Sequence, residues 1–368
     1  MKEKCLHIIS ITLGTVLALL YGGCTSDSTN EPVEASLREL HFMLGAHNYA
    51  DITPQNTHRA LPNGYVIYDE FLPKIPFDEA TLRCYMTQGQ EVKFQGNLTY
   101  KTDTWVSKIP LDNGVYYVYG LMPGTEAGKV KLTPLSDNFE NGAVMTVNGL
   151  NALVTSDVCT IVGVRGAASK VGIAEVGIEL GKFGYDAQND GSYIYMLIDH
   201  LYAAIQLNVN INSNYNTLRT IKLTKLTLRS KMANTVNVTT TLTPNTTNTS
   251  PLTATPPTVT IAVEGEGAEV EIYNGEEQEL MEDNDYLTFL ACTAPIATNT
   301  QFVMKTTYNV YDRKGNLIRK DCTAENVLNL PIGGLTRGQK YTFNLTVNPT
   351  YLYVLSDPDL DNPTVTIN

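Results

Sequence analysis

Apolar residues alternate with polar ones along many short stretches of this chain, and that alternation limits its fold more than any other feature. Ile205, Leu207, Val209 and Ile211 occupy every second position of one such stretch. Successive side chains of a β-strand point to opposite faces of a sheet, so this spacing predicts a strand with a buried face. Similar stretches recur along the chain, bounded by Gly, Pro, Asn or Asp, which are turn residues. The pattern predicts an all-β protein.

The length and the composition extend this prediction to two antiparallel β-sandwich domains. The chain has 368 residues, enough for about two domains, and 21 tyrosines against a single tryptophan. Tyrosine and threonine favour strands, and many short strands at regular spacing are typical of sandwiches. A cluster of Gly, Asp and Asn precedes the long strand near residue 205. We therefore place a boundary near residue 195, with an N-terminal domain over 60–195 and a C-terminal domain over 196–368.

The first residues have the order of a secretory signal peptide. Lys2 and Lys4 give a positive start, and the apolar stretch 6–20 is short for a membrane span. Small residues precede Cys24, as in the lipobox of bacterial lipoproteins, although Tyr21 stands where Leu is usual. We predict a signal peptide over 1–23 and acylation of Cys24, which places the protein at the outer membrane or cell surface. The alternative is ordinary signal cleavage with Cys24 as a bystander.

The net charge narrows the choice of partners. At −12, it argues against binding to nucleic acid and against electrostatic docking on anionic lipids. Membrane attachment is then expected only through the lipid anchor of the precursor. Residues 25–35 are small, polar and acidic, which is typical of a tether between an acylated cysteine and a fold.

The chain shows no recognisable catalytic or cofactor motif. The histidines are scattered, and we interpret His200 beside Asp199 as a hydrogen-bonded structural corner. We therefore predict a protein that is not an enzyme and that uses no cofactor. A partial calcium pattern occurs at the C-terminal end, where a kinked, solvated turn is the simpler interpretation. Its acidic residues alternate at Asp357, Asp359 and Asp361.

Four cysteines remain outside the signal and the lipid site. They are Cys84, Cys159, Cys292 and Cys322. None belongs to a C-x-x-C pair, which argues against a zinc site. A local Cys292–Cys322 disulfide and four buried thiols are equally acceptable interpretations.

One exposed-looking arginine lies in a polar, proline-punctuated stretch, NTHRALPNG. Arg59 and Ala60 stand at its centre, and a short strand precedes it. The apolar residues of that strand are Leu37, Leu40, Phe42 and Leu44. A loop arginine is usually a solvated charge, but it also suits a protease. Arg38 lies within the predicted strand and Arg83 within the domain, so Arg59 is the better candidate for cleavage.

Together these features resemble the fimbrillin family of Bacteroidetes, the FimA/Mfa-like pilins of type V pili. The segments that carry the resemblance are the signal ending at Cys24, THRAL, DTWVSKIPLDNGVYYVYGLMP (103–123), HLYAAIQLNV (200–209) and LTRGQKYTFNLTVNPTYLYVLSDPDLDNP. The resemblance implies two transthyretin-like β-sandwich domains and a lipoprotein precursor. It also implies that an arginine-specific surface protease cuts after the arginine and removes the first strand, residues 24–59 with their tether. A strand from another pilin subunit then fills the groove.

The C-terminal region contains the candidate donor strand. The stretch YLYVL alternates as a strand does, and TVTIN adds Val365 and Ile367. Its residues are Tyr351, Leu352, Tyr353, Val354 and Leu355. An equal alternative is that YLYVL is the last strand of its own sandwich, because both roles require the same alternation.

Other functions remain as alternatives to a structural subunit of an adhesive fimbria. A glycan-binding outer-membrane surface lipoprotein would share the signal, tether and sandwiches, although Trp105 is expected in the core. A tip or anchor subunit would belong to the same class. The Thr- and Asn-rich stretch 233–260 is expected to be an exposed loop or a frayed edge ribbon.

Overall fold

The structure is a computed structural model. It describes residues 37–47, 50–52, 65–67, 81–101, 104–230, 235–244, 258–264, 267, 269–282, 285–296, 301–329, 333–348 and 364–367. These residues form strands almost throughout, joined by turns and a few short helices. The all-β prediction is confirmed.

The first half of the described chain contains thirteen strands. They are β1 (Leu37–His47), β2 (Ala50–Ile52), β3 (Tyr65–Ile67), β4 (Thr81–Gln88), β5 (Glu91–Lys101), β6 (Thr104–Pro110), β7 (Val115–Met122), β8 (Val130–Pro134), β9 (Ala143–Asn151), β10 (Leu153–Val154), β11 (Cys159–Ala167), β12 (Gly184–Asp186) and β13 (Tyr193–His200). Short 3₁₀ turns span Gly124–Lys129, Leu135–Asp137 and Phe139–Asn141, and the helix α1 spans Ile173–Val176.

The second half adds ten described strands and one short helix, α2 (Ser213–Asn216). The strands are β14 (Ala203–Ile211), β15 (Thr220–Ser230), β16 (Thr235–Leu242), β17 (Thr258–Glu264), β18 (Glu269–Glu279), β19 (Leu287–Thr293), β20 (Gln301–Tyr311), β21 (Leu317–Asn329), β22 (Gln339–Asn348) and β23 (Thr364–Ile367).

The described strands form four sheets. The largest, the nine-stranded sheet, has the order β11-β13-β1-β6-β5-β4-β7-β12, with β3 also paired to β1. β11 pairs with β7 as well, so this sheet curls back on itself and encloses its own core. The six-stranded sheet has the order β10-β19-β14-β22-β2, with β23 paired to β22. Two four-stranded sheets follow the orders β18-β15-β20-β21 and β17-β16-β9-β8.

Most pairings are antiparallel, but three described pairs run parallel. These pairs are β1 with β13, β14 with β22, and β2 with β22. Parallel neighbours need a long connection, and the segment between β1 and β13 includes most of the nine-stranded sheet. Two of the parallel pairs therefore bring the first residues of the described chain against strands that come much later.

Separate apolar cores lie beneath these sheets. One is enclosed by the nine-stranded sheet and contains Leu40, Phe42, Cys84 and Trp105, all at most 2% exposed. The largest core lies among the other three sheets. Burial of Trp105 agrees with the expectation that it packs in the core.

Residue 195, the proposed domain boundary, lies inside β13. The chain leaves the nine-stranded sheet at His200 and enters the six-stranded sheet at Ala203. Two of the other sheets contain strands from both sides of residue 195. β9, which precedes it, pairs with β16, and β10, which also precedes it, pairs with β19. The division into two domains stays a prediction.

The expectation of an exposed loop or a frayed edge ribbon over 233–260 is wrong for β16, whereas residues 258–260 lie in β17, an edge strand of the same sheet. β16 is an inner strand of its sheet, paired with β9 on one side and β17 on the other. Its alternate residues Val236, Val238, Thr240 and Leu242 are buried. Threonine is β-branched and suits a pleated surface, so a stretch rich in Thr and poor in long apolar side chains still forms a strand.

Candidate functional site

The first strand, β1, packs its apolar side chains into the core of the nine-stranded sheet. Leu40 and Phe42 are fully buried and Leu44 is 5% exposed, whereas Leu37 at the start of the strand is 64% exposed. The three buried residues occupy alternate positions, so they share one face of the strand. Met43, on the opposite face, packs against a second apolar cluster that contains Tyr195 and Leu197. The prediction of a strand here is confirmed.

β1 lies between two other strands and is not at the edge of its sheet. On one side it runs parallel to β13, from the pair His41–Tyr193 to the pair Ala46–Ile198. On the other side it runs antiparallel to β6, from Leu37–Pro110 to Phe42–Trp105. β3 then pairs with the end of the strand, residues 45–47. Without β1, both β13 and β6 would have an unpaired backbone edge beside an apolar floor.

Polar contacts fix the register of β1 against the turn that precedes β13. The backbone N–H of His41 donates to the carbonyl of Ser192 at 2.9 Å. The guanidinium of Arg38 donates to the carbonyl of Ala187 and, at 3.4 Å, to the hydroxyl of Ser192. The ring of His41 stacks on that of Tyr193 with centroids 5.2 Å apart. These contacts hold the strand at one position along β13.

β2 follows β1 closely in the chain but belongs to the six-stranded sheet. It pairs parallel with residues 339–341 of β22, while β14 pairs with the other edge of β22. The last described strand, β23, pairs antiparallel with residues 345–348 of β22. β2 and β23 therefore share one edge of β22 between them.

The structure places the three candidate arginines differently. Arg38 is in β1 and Arg83 is in β4, both paired strands, which a protease cannot take into its own extended binding cleft. Arg59 belongs to the connection 53–64 between β2 and β3. That connection lies outside the described residues.

The residues predicted to be acylated, to follow the cleavage site, to form the donor strand or to bind calcium also lie outside the described residues. They are Cys24, Ala60, Tyr351, Leu352, Tyr353, Val354, Leu355, Asp357, Asp359 and Asp361. The candidate donor strand belongs to the connection 349–363, between β22 and β23. The lipid, cleavage, donor and calcium assignments therefore stay predictions.

The core under β1 strongly disfavours charge. Cys84 of β4 belongs to the same apolar cluster as Leu40 and Phe42, and it is fully buried. Burial raises the pKa of the Cys84 thiol from 9.0 to about 12, against a smaller lowering by Arg83. A strand that replaced β1 would have to present apolar side chains at the positions of Leu40, Phe42 and Leu44.

The four cysteines outside the signal and the lipid site are all buried thiols, and no disulfide joins them in the described part of the chain. Cys292 is in β19 of the six-stranded sheet and Cys322 is in β21 of a different sheet, and no bond joins them in the structure.

A separate cleft opens beside β11 and β7, with a volume of about 560 Å³. A half-buried tyrosine, Tyr117, lies at its wall among charged side chains. The charged residues are Glu140, Arg165, Glu179, Lys182 and Asp190. A ring beside several hydrogen-bonding groups is an arrangement that can accept a polar ligand.

A buried cluster formed by Asp157, Cys159 and His200 was not predicted from the sequence. His200 Nδ1 lies 2.7 Å from a carboxylate oxygen of Asp157, not of its neighbour Asp199, which instead binds Arg337. The sequence could not reveal this cluster, because Cys159 and His200 are 41 positions apart and meet only through the pairing of β11 with β13. The same imidazole nitrogen faces both the thiol and the carboxylate, and the three side chains are at most 1% exposed, so this is no accessible nucleophile–base pair.

No helix in the described part of the chain is both long enough and apolar enough to cross a membrane.

Comparison with known proteins gives no family model and no curated protein that matches this sequence. Solved structures do match. A proposed cell adhesion protein of Bacteroides fragilis NCTC 9343 has 13% identity over 90% of this chain and 97% of that one, with a TM-score of 0.47. A fimbrial protein of Bacteroides vulgatus ATCC 8482 has 13% identity over 89% and 98%, with a TM-score of 0.35.

The fimbrial anchor protein Mfa2 of Porphyromonas gingivalis has 11% identity over 89% of this chain and 95% of that one, with a TM-score of 0.25. The identities are so low that the function of this chain has to be argued from its own residues.

Proposed function

We propose that this chain is a structural subunit of an adhesive fimbria on the bacterial surface, secreted as a lipoprotein acylated at Cys24. An arginine-specific protease cuts between Arg59 and Ala60, and the segment 24–59 is then replaced by a strand of another subunit. The fold in this proposal is a pair of transthyretin-like sandwiches. The names of the adhesion and fimbrial proteins given above agree with it.

The observation that carries the proposal is the place of β1. The first strand of the described chain lies inside a sheet, between two strands that come later in the chain, and connects onward through the segment that contains Arg59. Its removal leaves the unpaired edges of β13 and β6 and a groove floored by apolar side chains. A new strand restores the backbone hydrogen bonds and buries apolar residues again, which is β-augmentation.

The energy available to such a joint is large enough for a filament. Three apolar side chains stand at the positions of Leu40, Phe42 and Leu44. At about 1.5–3 kcal/mol each, their burial contributes roughly 5–9 kcal/mol before the cost of ordering the strand. A contact in which one subunit donates and the next accepts is head-to-tail, so it does not close on itself and extends as a fibre.

The experiment that tests the proposal replaces Arg59 by Ala in the native host. We expect full-length lipoprotein on the surface and no high-mass ladder on a mild, unboiled gel. Arg313→Ala is the matched control, because Arg313 is an exposed arginine in the turn between β20 and β21. Normal filaments from the Arg59→Ala strain would contradict cleavage at this residue.

The cleft beside Tyr117 favours a second candidate, a glycan-binding surface lipoprotein. Sugars stack on aromatic rings and accept hydrogen bonds from charged side chains, both of which this cleft offers. A glycan array with the purified chain should then show a ligand that Tyr117→Ala loses and Tyr311→Ala keeps, since Tyr311 lies in a different sheet. An array without a ligand would remove this candidate.

A further inference from the structure

Three side chains with different ligand chemistry meet in the interior, where β11 begins and β13 ends. They are the carboxylate of Asp157, the thiol of Cys159 and the imidazole of His200, all at most 1% exposed. One ligand atom from each lies within 4.8 Å of the other two. Cys159 and His200 face each other across β11 and β13, and Asp157 lies in the segment between β10 and β11.

The distances are close to those of a metal site. His200 Nδ1 lies 3.4 Å from Cys159 Sγ and 2.7 Å from Asp157 Oδ2. A tetrahedral zinc ion with bonds of about 2.0 Å to N and O and about 2.3 Å to S separates its ligand atoms by roughly 3.3–3.6 Å. The nitrogen and the sulfur already have this separation. The nitrogen and the oxygen would have to move apart by roughly 0.6 Å, within the rotation of one carboxylate.

The charges also balance. One carboxylate, one thiolate and a neutral imidazole carry two negative charges, which a divalent ion neutralises in a buried site. Without an ion, burial and then the Asp157 carboxylate raise the pKa of the Cys159 thiol well above its ordinary 9.0. Binding therefore releases the thiol proton, and the imidazole keeps its own proton on Nε2 while Nδ1 binds the metal.

The surroundings hold the imidazole in place and can complete the coordination. The guanidinium of Arg337 donates to the backbone carbonyl of His200 at 3.0 Å and to the carboxylate of Asp199 at 2.9 Å. Cys292 of β19 is near enough to contribute to the raised pKa of Cys159. A water molecule can supply the fourth ligand that tetrahedral zinc requires, because a Cys292 thiolate would add a third negative charge that one divalent ion leaves unbalanced.

We propose that Asp157, Cys159 and His200 form a structural zinc site. The mixture of sulfur, nitrogen and oxygen ligands suits zinc better than calcium or magnesium, which take oxygen ligands. The site lies where β11 begins and β13 ends, so the ion would fasten the segment between β10 and β11 to two strands of the nine-stranded sheet. This site does not depend on the proposed function and would be the same in a fimbrial subunit or a glycan-binding protein.

Cobalt titration of the metal-free, full secreted chain tests the site directly. We expect one Co²⁺ per chain with a thiolate charge-transfer band and the strong visible bands of tetrahedral cobalt, all abolished by zinc. Zinc should raise the Tm, and a chelator should reverse that rise. Cys159→Ser and His200→Gln should lose the charge-transfer band or weaken binding at least tenfold. Cys322→Ser, a buried cysteine in another sheet, should behave as the unchanged chain does.

If a variant fails to fold, the cobalt spectrum and the Tm of the unchanged chain still test the site. A cobalt spectrum without a thiolate band, or a Tm that zinc leaves unchanged, would overturn the site. A thiolate band that persists in folded Cys159→Ser would overturn it equally, because the sulfur ligand would then be a different cysteine.

Discussion

β1 and β2 belong to one short segment of chain, yet the structure uses them differently. β1 lies inside the nine-stranded sheet, paired on both edges and with three side chains in the core. β2 is a three-residue strand on the rim of the six-stranded sheet, paired with β22 on one side. Loss of the whole segment would therefore remove an inner strand from one sheet and only part of an edge from another.

The difference also shows what a cut after Arg59 can and cannot do. A single break in the backbone leaves the pairings of β1 and its buried side chains in place, so the cleaved segment is expected to stay bound. It leaves only when another strand competes for the same edges of β13 and β6. Cleavage in this account makes exchange feasible, and the incoming strand drives it.

The largest expected effect comes from introducing proline into β1, with a proline in β2 for comparison. His41→Pro removes the N–H that donates to the Ser192 carbonyl and places a ring inside a sheet. We expect a loss of roughly 3 kcal/mol or more in the free energy of unfolding. Asp51→Pro in β2 removes at most one edge hydrogen bond, worth about 1 kcal/mol. Urea unfolding measures both, and equal losses would break the comparison between an inner and an edge strand.

An effect of comparable size is expected from Phe42→Ala, for which Leu37→Ala in the same strand is the control. Phe42 is fully buried, so its truncation should cost about 3–5 kcal/mol by leaving a cavity. Leu37 is 64% exposed, and its truncation should change the free energy of unfolding by at most about 0.5 kcal/mol. After cleavage, the first segment should elute together with the rest of the protein on a sizing column in Leu37→Ala. In Phe42→Ala a larger share of the segment should dissociate and elute separately. Retention that is unaffected by Phe42→Ala would mean that the apolar face of β1 does not hold the strand.

The smallest effect is an alkaline loss of stability from the core under β1. The folded chain keeps the Cys84 thiol protonated up to a pH of about 12, whereas the unfolded chain releases that proton near pH 9. The unfolded state thus binds fewer protons between these values, and stability falls as pH rises. Cys84 contributes up to about 1.4 kcal/mol per pH unit to that fall.

Urea unfolding at several values of pH between 9 and 11 measures this slope, which Cys84→Ala should make shallower. Displacement of β1 should also open the core and make Cys84 react with an alkylating reagent at pH 8. The thiol of Cys322 lies in another sheet and should keep its rate. An unchanged slope in Cys84→Ala would show that this thiol is not held protonated by the core.

Much of the strand content follows from local sequence. Alternation over 205–211 marks β14, the turn at Gly89 separates β4 from β5, and Gly315 lies with a φ of 84° in the turn between β20 and β21. These features depend on neighbours in the chain, because side-chain direction and turn geometry are local properties. The strand over 205–211 and the presence of glycine turns between strands were predicted from the sequence.

The arrangement of the strands could not be predicted in the same way. The parallel pairing of β1 with β13 joins residues about 150 positions apart, and alternation says nothing about which partner a strand takes. β16 was missed because its buried face contains Val236 and Thr240 instead of long apolar residues. The Asp157–Cys159–His200 cluster was missed because only the pairing of β11 with β13 brings its members together.

In the proposed function, the segment before Ala60 is removed and a strand of another subunit takes its place. The sharpest test is mass spectrometry of the N-terminus of the protein recovered from the native cell surface, together with its size on a mild, unboiled gel. We expect chains that begin at Ala60 in high-mass ladders. Chains that begin at an acylated Cys24 and run as monomers would contradict it, and Arg59 would then be only an exposed charge in a loop.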